Sequence, residues 1–479
     1  SMISNIISAI SSAMYDWILI IMLLAAGIYF TVASKFPQFR LFGKAIKYLK
    51  EKPKNHKENS VSGFQALMVS TASRVGTGNI IGVSVAICVG GYGSVFWMWI
   101  IAFIGGASAF AESTLAQIYK VKGKEGKFIG GPAYYIEKAL NFKVLAVLFC
   151  IAMLLTYAFG FNMLASYNLQ TTFAIFPFYN ADITPWVIGG ILAIVAGWCL
   201  LGGEKRIVKV TSKIVPTMGI AYVGISILVI ILNAGNLPMV FGTIFAEAFN
   251  FKAIFAGFGA SVLMQGIKRG LYSNEAGIGS APNAAAAADT SHPAKQGLIQ
   301  MLSVFIDTLI LCTATAMMCM SSGIVPTPDI KGAPYVQMAL EQSLGTFGPY
   351  FIVIAMCLFA FTTLLGNCFY CDNLLTYLNG KKEPSRKFMI FFRLVCAGII
   401  FLGSGLEVGL LWDISDVCMG LMAIINIPVL FILSRQVFRT LKDLNKKERL
   451  GDKTYFCSKD VGLKGKTDCW EEENVPSEQ

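Results

Sequence analysis

The chain has 479 residues, 55% of them hydrophobic and 14% charged, with a formal net charge of +11. A soluble domain carries about a quarter charged residues, and the polar linkers of a soluble multidomain chain are missing. Apolar runs recur from end to end, each long enough to cross a ~30 Å hydrocarbon core. The composition therefore excludes an ordinary soluble enzyme and points to an all-α integral membrane protein in a lipid bilayer.

Eleven apolar spans are expected, at roughly 14–33, 64–90, 92–118, 144–170, 184–202, 213–233, 253–280, 297–323, 349–378, 388–404 and 410–434. The first lacks a basic flank and an A-x-A site, so it reads as a retained helix rather than a cleaved signal. Basic residues fall on alternate connections. The segments 34–62, 119–143, 203–213, 281–296, 379–387 and the tail from 435 hold 33 of the 39 Lys and Arg, and the opposite connections hold only Lys252 and Lys331. By the positive-inside rule the N-terminus lies outside and the C-terminus in the cytoplasm of a bacterial inner membrane. Basic cytoplasmic loops account for the net charge, so no nucleic-acid partner is implied. The tail after about 445 is polar and mixed in charge and reads as short and mobile.

The twelve cysteines form no disulfide framework; ten lie in apolar spans and read as buried thiols. His56 and His292 are the only histidines, which argues against a His-built metal site.

Two spans carry breaks. The second contains Ser73-Arg74-Val75-Gly76-Thr77-Gly78-Asn79, then Gly82. The seventh contains Lys268-Arg269-Gly270-Leu271-Tyr272-Ser273-Asn274-Glu275-Ala276-Gly277, then Gly279 and Pro282. Glycine in a membrane helix commonly means close packing. Gly, Thr, Asn, Arg and Glu concentrated in an apolar span point instead to a substrate or ion site. Arg74, Asn79 and Gly82 share the spacing R-x4-N-x2-G with Arg269, Asn274 and Gly277. Each break opens a block of five spans, entered from opposite sides, as inverted repeats require. The division expected is an extra N-terminal helix (1–33), a basic segment (34–62), two five-helix repeats (63–250 and 251–435) and a polar tail (436–479).

A broken helix frees N–H groups at one half and carbonyls at the other. An amino acid carries a carboxylate for the first and an ammonium for the second. The backbone of Thr77, Gly78 and Asn79 would receive the carboxylate, and carbonyls near Gly270 to Ser273 the ammonium. Carbonyls of Ala72 to Val75 with Thr362 and Thr363 would hold Na⁺, unless those hydroxyls bond their own helix. Asn79, Asn274 and Asp307 would form a second cation site, because a lone carboxylate inside an apolar span must be paired, protonated or cation-bound. Arg74, Arg269 and Glu275 would gate or brace the site, Glu275 being equally suited to act as a ligand.

Longer motifs carry a resemblance: Arg74-Val-Gly-Thr-Gly-Asn79, Phe96-Trp-Met-Trp99, Ala111-Glu-Ser-Thr-Leu-Ala-Gln117, Gly130-Gly-Pro-Ala-Tyr-Tyr135, Arg269-Gly-Leu-Tyr-Ser-Asn-Glu-Ala-Gly277 and His292-Pro-x-x-Gln-Gly297. From about 62 to 435 the chain resembles the alanine/glycine:cation symporters. Arg74, Asn283-Ala284-Ala285 and Gly366-Asn367 are more similar to the branch that includes glutamine transporters. The resemblance implies a LeuT-like five-plus-five fold with one additional helix, and Na⁺-driven or sometimes H⁺-driven uptake of small neutral amino acids such as alanine, glycine or glutamine. It implies a pocket at Thr77, Gly78, Asn79, Ser273, Asn274 and Asn367, lined also by the fourth and ninth spans. The fourth span departs from the family pattern: after Phe161-Asn162, Ala165 and Tyr167 stand where relatives carry Gln and Asn, which would alter side-chain preference if they face the pocket. No organic cofactor is implied, and a monomer is expected. A non-transporting sensor would need an effector domain that a 45-residue tail does not supply. An enzyme would need a nucleophile or metal motif, and none is present. H⁺ coupling or exchange of another neutral amino acid is the alternative within transport.

Overall fold

In the computed structural model, residues 1–14, 18–54, 59–406, 408–451 and 453–475 are described. The start of the first expected span (residues 15–17), His56 and Lys57 lie outside them.

Among the described residues the regular structure is helical, apart from a two-residue ribbon pairing Val121–Lys122 with Phe128–Ile129 and an isolated bridge between Val61 and Ala288. The helices used below are α1 (Gly63–Arg74), α2 (Ile81–Val89), α3 (Ser94–Ile118), α4 (Lys143–Ile175), α5 (Thr184–Leu201), α6 (Gly203–Leu232), α7 (Val262–Asn274), α8 (Pro293–Ser321), α9 (Phe347–Leu378), α10 (Arg386–Gly403), α11 (Val408–Ile432) and α12 (Ser434–Arg449). Among the described residues seven helices are long and apolar enough to cross a membrane, and eight if the pair α1 and α2, bent by 64°, counts as one span. The remaining expected spans are shorter or less apolar. Leu19–Ala33 has 15 residues, and α7 has 13.

Side-chain placement follows the surrounding medium. Ile191, Ile194, Val195 and Trp198 on α5, and Ile220, Ile227 and Ile231 on α6, are exposed. An apolar surface this continuous is costly in water and is at home against acyl chains. Polar groups are gathered inside instead, around α1, α3, α7 and α8, where Arg74, Glu112, Arg269, Glu275 and Asp307 are all buried.

The tail is a correction to the sequence reading. Its mixed charge suggested mobility, yet Phe456, Val461, Leu463, Cys469 and Trp470 are buried. Trp470 Nε1 donates to the Gln117 carbonyl at 2.7 Å, Phe456 N to the Ser291 carbonyl at 2.9 Å, and Lys138 pairs with Asp468 at 2.6 Å. Scattered aromatic and apolar residues between charges provide enough burial to dock it.

Candidate substrate and cation site

α1 begins at a capping box, in which Ser62 Oγ accepts from Gln65 N at 3.1 Å and Ser62 N donates to Gln65 Oε1 at 3.0 Å. It ends where Val75 and Gly76 turn extended, and a short 3₁₀ turn, Thr77–Asn79, leads into α2. Asn79 Oδ1 accepts from Gly76 N at 2.9 Å and holds the break shut on itself. Glycine is required here by space: a Cβ on Gly76 would sit 2.1 Å from Thr363 Oγ1, and one on Gly78 would sit 2.8 Å from the Tyr272 ring.

The second break starts later than the sequence suggested. Lys268 to Asn274 are helical, so the carbonyls of Gly270 to Ser273 belong to the last turns of α7 rather than to unwound chain. Glu275 ends the helix in the left-handed conformation at φ 55°, and Gly277 and Gly279 follow at φ 84° and 96°. Only one turn, Pro282–Ala285, forms beyond it. Glu112 on α3 accepts from Gly277 N at 3.2 Å and Gly279 N at 3.0 Å, and Asn426 on α11 donates to Glu112 at 3.0 Å and to the Gly277 carbonyl at 2.8 Å. A carboxylate and an amide thus satisfy the backbone freed by the break.

The two breaks meet. Ser73, Arg74, Gly76, Thr77, Gly78, Phe161, Tyr272, Glu275 and Thr363 enclose a cavity of about 10 Å³, room for about one water. Of the residues expected at the substrate site, Thr77, Gly78 and Phe161 form its wall. Asn367 stands behind it, accepting from Ser73 Oγ at 2.6 Å and donating to Asn162 at 2.8 Å. Ala165 is buried in the helical core and is not part of the wall, nor is Tyr167. Asn168, not singled out in the sequence, donates to Thr77 Oγ1 at 3.1 Å.

Two polar clusters adjoin the cavity. In the first, Thr363 Oγ1 donates to the carbonyls of Ala72 and Ser73 at 3.2 and 3.0 Å, beside Val75. Thr362 turns back to its own helix, at 3.0 Å from the Leu358 carbonyl. In the second, Asp307 accepts from Asn79 Nδ2 at 2.9 Å, Ser273 Oγ at 2.8 Å and Thr308 Oγ1 at 2.9 Å. It lies in a π-helical stretch of α8, Phe305–Cys312, of the kind often found at functional sites. Asn274 is not in this cluster; its Oδ1 accepts from Ala276 N at 3.0 Å.

Aromatic and charged side chains pack over one side of the central cavity. Tyr272 packs edge-on against Phe161 and Trp412, both at 4.9 Å, and the Arg269 guanidinium lies 4.2 Å from the Trp412 ring while pairing with Asp416 at 2.8 Å. Asp416 shares its apolar span with a second carboxylate, Asp413, three residues earlier. A separate cavity of about 640 Å³ lies on the side of the basic loops, lined in part by Gln65, Ala287 and Phe369, and shares no residue with the central one. Lys127–Glu204 at 2.7 Å and Arg393–Asp372 at 2.9 Å line its walls.

Comparison with known proteins fits this architecture. The probable sodium/glutamine symporter GlnT of Bacillus subtilis is 41% identical over 469 residues, covering 98% of this chain and 96% of that protein. The amino-acid carrier protein AlsT of the same organism is 40% identical, covering 94% of each. The sodium/alanine symporter AgcS of Methanococcus maripaludis is 36% identical, covering 92% and 97%. The solved structure of MhsT in complex with L-phenylalanine shares the LeuT-like fold, with a TM-score of 0.56 at 14% identity over 80% of this chain and 92% of that one. The pattern of the sodium:alanine symporter family matches residues 1–458. The chain is a multi-pass membrane transporter, not an enzyme, and it belongs to the sodium:alanine symporter family.

Proposed function

We propose that this protein is a Na⁺-coupled symporter that imports a small neutral amino acid by alternating access. In this reading eleven spans cross the bacterial inner membrane, ten of them as two inverted five-helix repeats, with the N-terminus outside and the C-terminus in the cytoplasm. The observation that carries it is the meeting of two interrupted helices on one enclosed cavity. The N–H groups of Thr77 and Gly78 take the substrate carboxylate; Asn79, expected to join them, instead donates its N–H to the Gly76 carbonyl at 3.2 Å. The carbonyl end of α7, at Ser273 and Asn274, takes the ammonium. The names of GlnT and AgcS, which pair sodium with glutamine and alanine, support the same assignment.

Na⁺ fits the two oxygen-rich clusters. The Thr363 hydroxyl already lies against the Ala72 and Ser73 carbonyls. A cation there replaces a hydroxyl proton as the partner of those oxygens, with Val75 and Thr362 completing the shell after a rotamer change. Asp307 supplies the second, charged site together with Asn79 and Ser273.

Thermal-shift binding on purified protein tests this, with alanine, glycine, glutamine, serine and asparagine, each in Na⁺ and in K⁺. Stabilisation that requires Na⁺ is the expected result. Equal stabilisation in K⁺ rules out obligate Na⁺ coupling, and no shift with any amino acid sends the substrate class elsewhere.

A further inference from the structure

Arg74 is nearly fully buried and forms part of the cavity wall. Among the described residues its side chain makes one hydrogen bond, a long one from Nη1 to the Gln300 carbonyl at 3.4 Å; Glu112, Glu275 and Asp307 attract its charge, but Nε and Nη2 have no hydrogen-bond partner. Buried donors left unpaired cost free energy, about 1–3 kcal/mol each and more on a charged group. A guanidinium kept in that state at a binding cavity is poised for a ligand. Glu275 lies in the same wall; Ser280 Oγ donates to its Oε2 at 3.2 Å, and its carboxylate keeps further acceptor capacity.

From this pairing we infer that Arg74 and Glu275 read the side chain of the substrate, and that the preferred substrate carries a carboxamide. The inference rests on the amino-acid transport reading above and narrows it. A carboxamide offers an acceptor oxygen and a donor NH₂ on one planar group. The oxygen accepts from Arg74 Nε or Nη2, and the NH₂ donates to Glu275. A side-chain carboxylate satisfies Arg74 but places a like charge against Glu275. An alkyl side chain leaves Arg74 Nε and Nη2 without a hydrogen-bond partner. Alanine and glycine have no polar side-chain group to offer either. The cavity is contracted to about one water, so the carboxamide enters only as the wall retreats.

The test is binding to the full-length protein in Na⁺ of glutamine, asparagine, glutamate, norleucine and alanine, followed by thermal shift and calorimetry. A site built to hydrogen-bond a polar group rejects the analogue lacking it strongly, so glutamine is expected to bind on the order of 100-fold tighter than norleucine, and glutamate weakly. Arg74→Met should collapse the glutamine-to-norleucine ratio toward unity. Glu275→Gln should narrow the glutamine-to-glutamate ratio by about tenfold or more. Ratios within one variant are read only where it unfolds cooperatively, and the wild-type series decides the matter if a variant does not fold. Alanine or norleucine binding as tightly as glutamine overturns the side-chain assignment and leaves Na⁺-coupled transport standing. Failure of all five to bind in Na⁺ overturns both.

Discussion

Arg269 Nη2 lies 3.1 and 2.8 Å from the two carboxylate oxygens of Asp416, with both side chains almost fully buried. The pair joins α7, which ends in a break, to α11, and it lies against the aromatic row Trp412–Tyr272–Phe161 that roofs the cavity. Removing one partner strands the other charge in a buried setting, which costs about 3–5 kcal/mol. Asp416→Ala should therefore lower the melting temperature and impair transport. Arg269→Ala with Asp416→Ala should cost less than the sum of the single changes. A double-mutant cycle on thermal stability checks this, and additive losses would mean that the two do not interact.

Asp307 holds Asn79 and Ser273 in one cluster, so Asn79→Ala and Asp307→Asn should each reduce uptake about tenfold or more while the protein still reaches the membrane. The measurement is Na⁺-dependent uptake normalised to membrane content. Unchanged Na⁺ dependence in purified Asp307→Asn would remove that carboxylate from the cation site.

Two glycines should respond differently to compensation. A Cβ on Gly76 meets the Thr363 side chain at 2.1 Å, whereas one on Gly366 meets the Ser73 backbone nitrogen at 2.6 Å. Gly76→Ala should destabilise the protein and be partly rescued by Thr363→Ala, which removes the obstructing atom. Gly366→Ala should resist rescue by any side-chain change, because backbone cannot be trimmed. Thermal unfolding of the three variants separates the cases.

His292 at the entrance to α8 gives a pH signature. Its ring is fully buried, Nδ1 accepts from Ala294 N at 3.2 Å, and Nε2 lies 2.9 Å from Asp443. Burial pushes its pKa down to about 4, against the pull of Asp443. The unfolded chain therefore takes up a proton near pH 6.5 that the folded one refuses until about 4. The stability tied to this site is fully present above about pH 6.5 and is lost as pH falls toward 4. His292→Gln should flatten that window in a melting-temperature series.

Trp470 anchors the tail, and Trp470→Ala should cost about 3–5 kcal/mol at its docking site. The tail should become sensitive to limited proteolysis in this variant and resist it in the wild type.

Much of this architecture is legible from the residues. Period and length reveal α3, α4, α5, α6, α8, α9 and α11, because lipid demands long apolar helices. Gly76 and Gly78 mark the first break, since no larger side chain fits there. The second break lies later than the glycine at 270 suggests. Gly270 packs against Ile101 within a regular helix, and the chain departs from α7 only at Glu275. Glycine alone does not distinguish close packing from unwinding. Thr362 and Thr363 read alike in sequence but turn opposite ways, a difference fixed by α1 lying against only one of them. The docking of the tail is hidden because its apolar residues are spread among charges and its partners, Ser291 and Gln117 among them, lie far away in sequence.

Asp307 accepts from Asn79, in the first interruption, and from Ser273, at the edge of the second. One carboxylate is thus shared between the groups assigned to the ion and those assigned to the organic solute. Thermodynamic reciprocity then fixes a quantity in advance: whatever factor sodium contributes to amino-acid affinity, the amino acid must return to sodium affinity in equal measure.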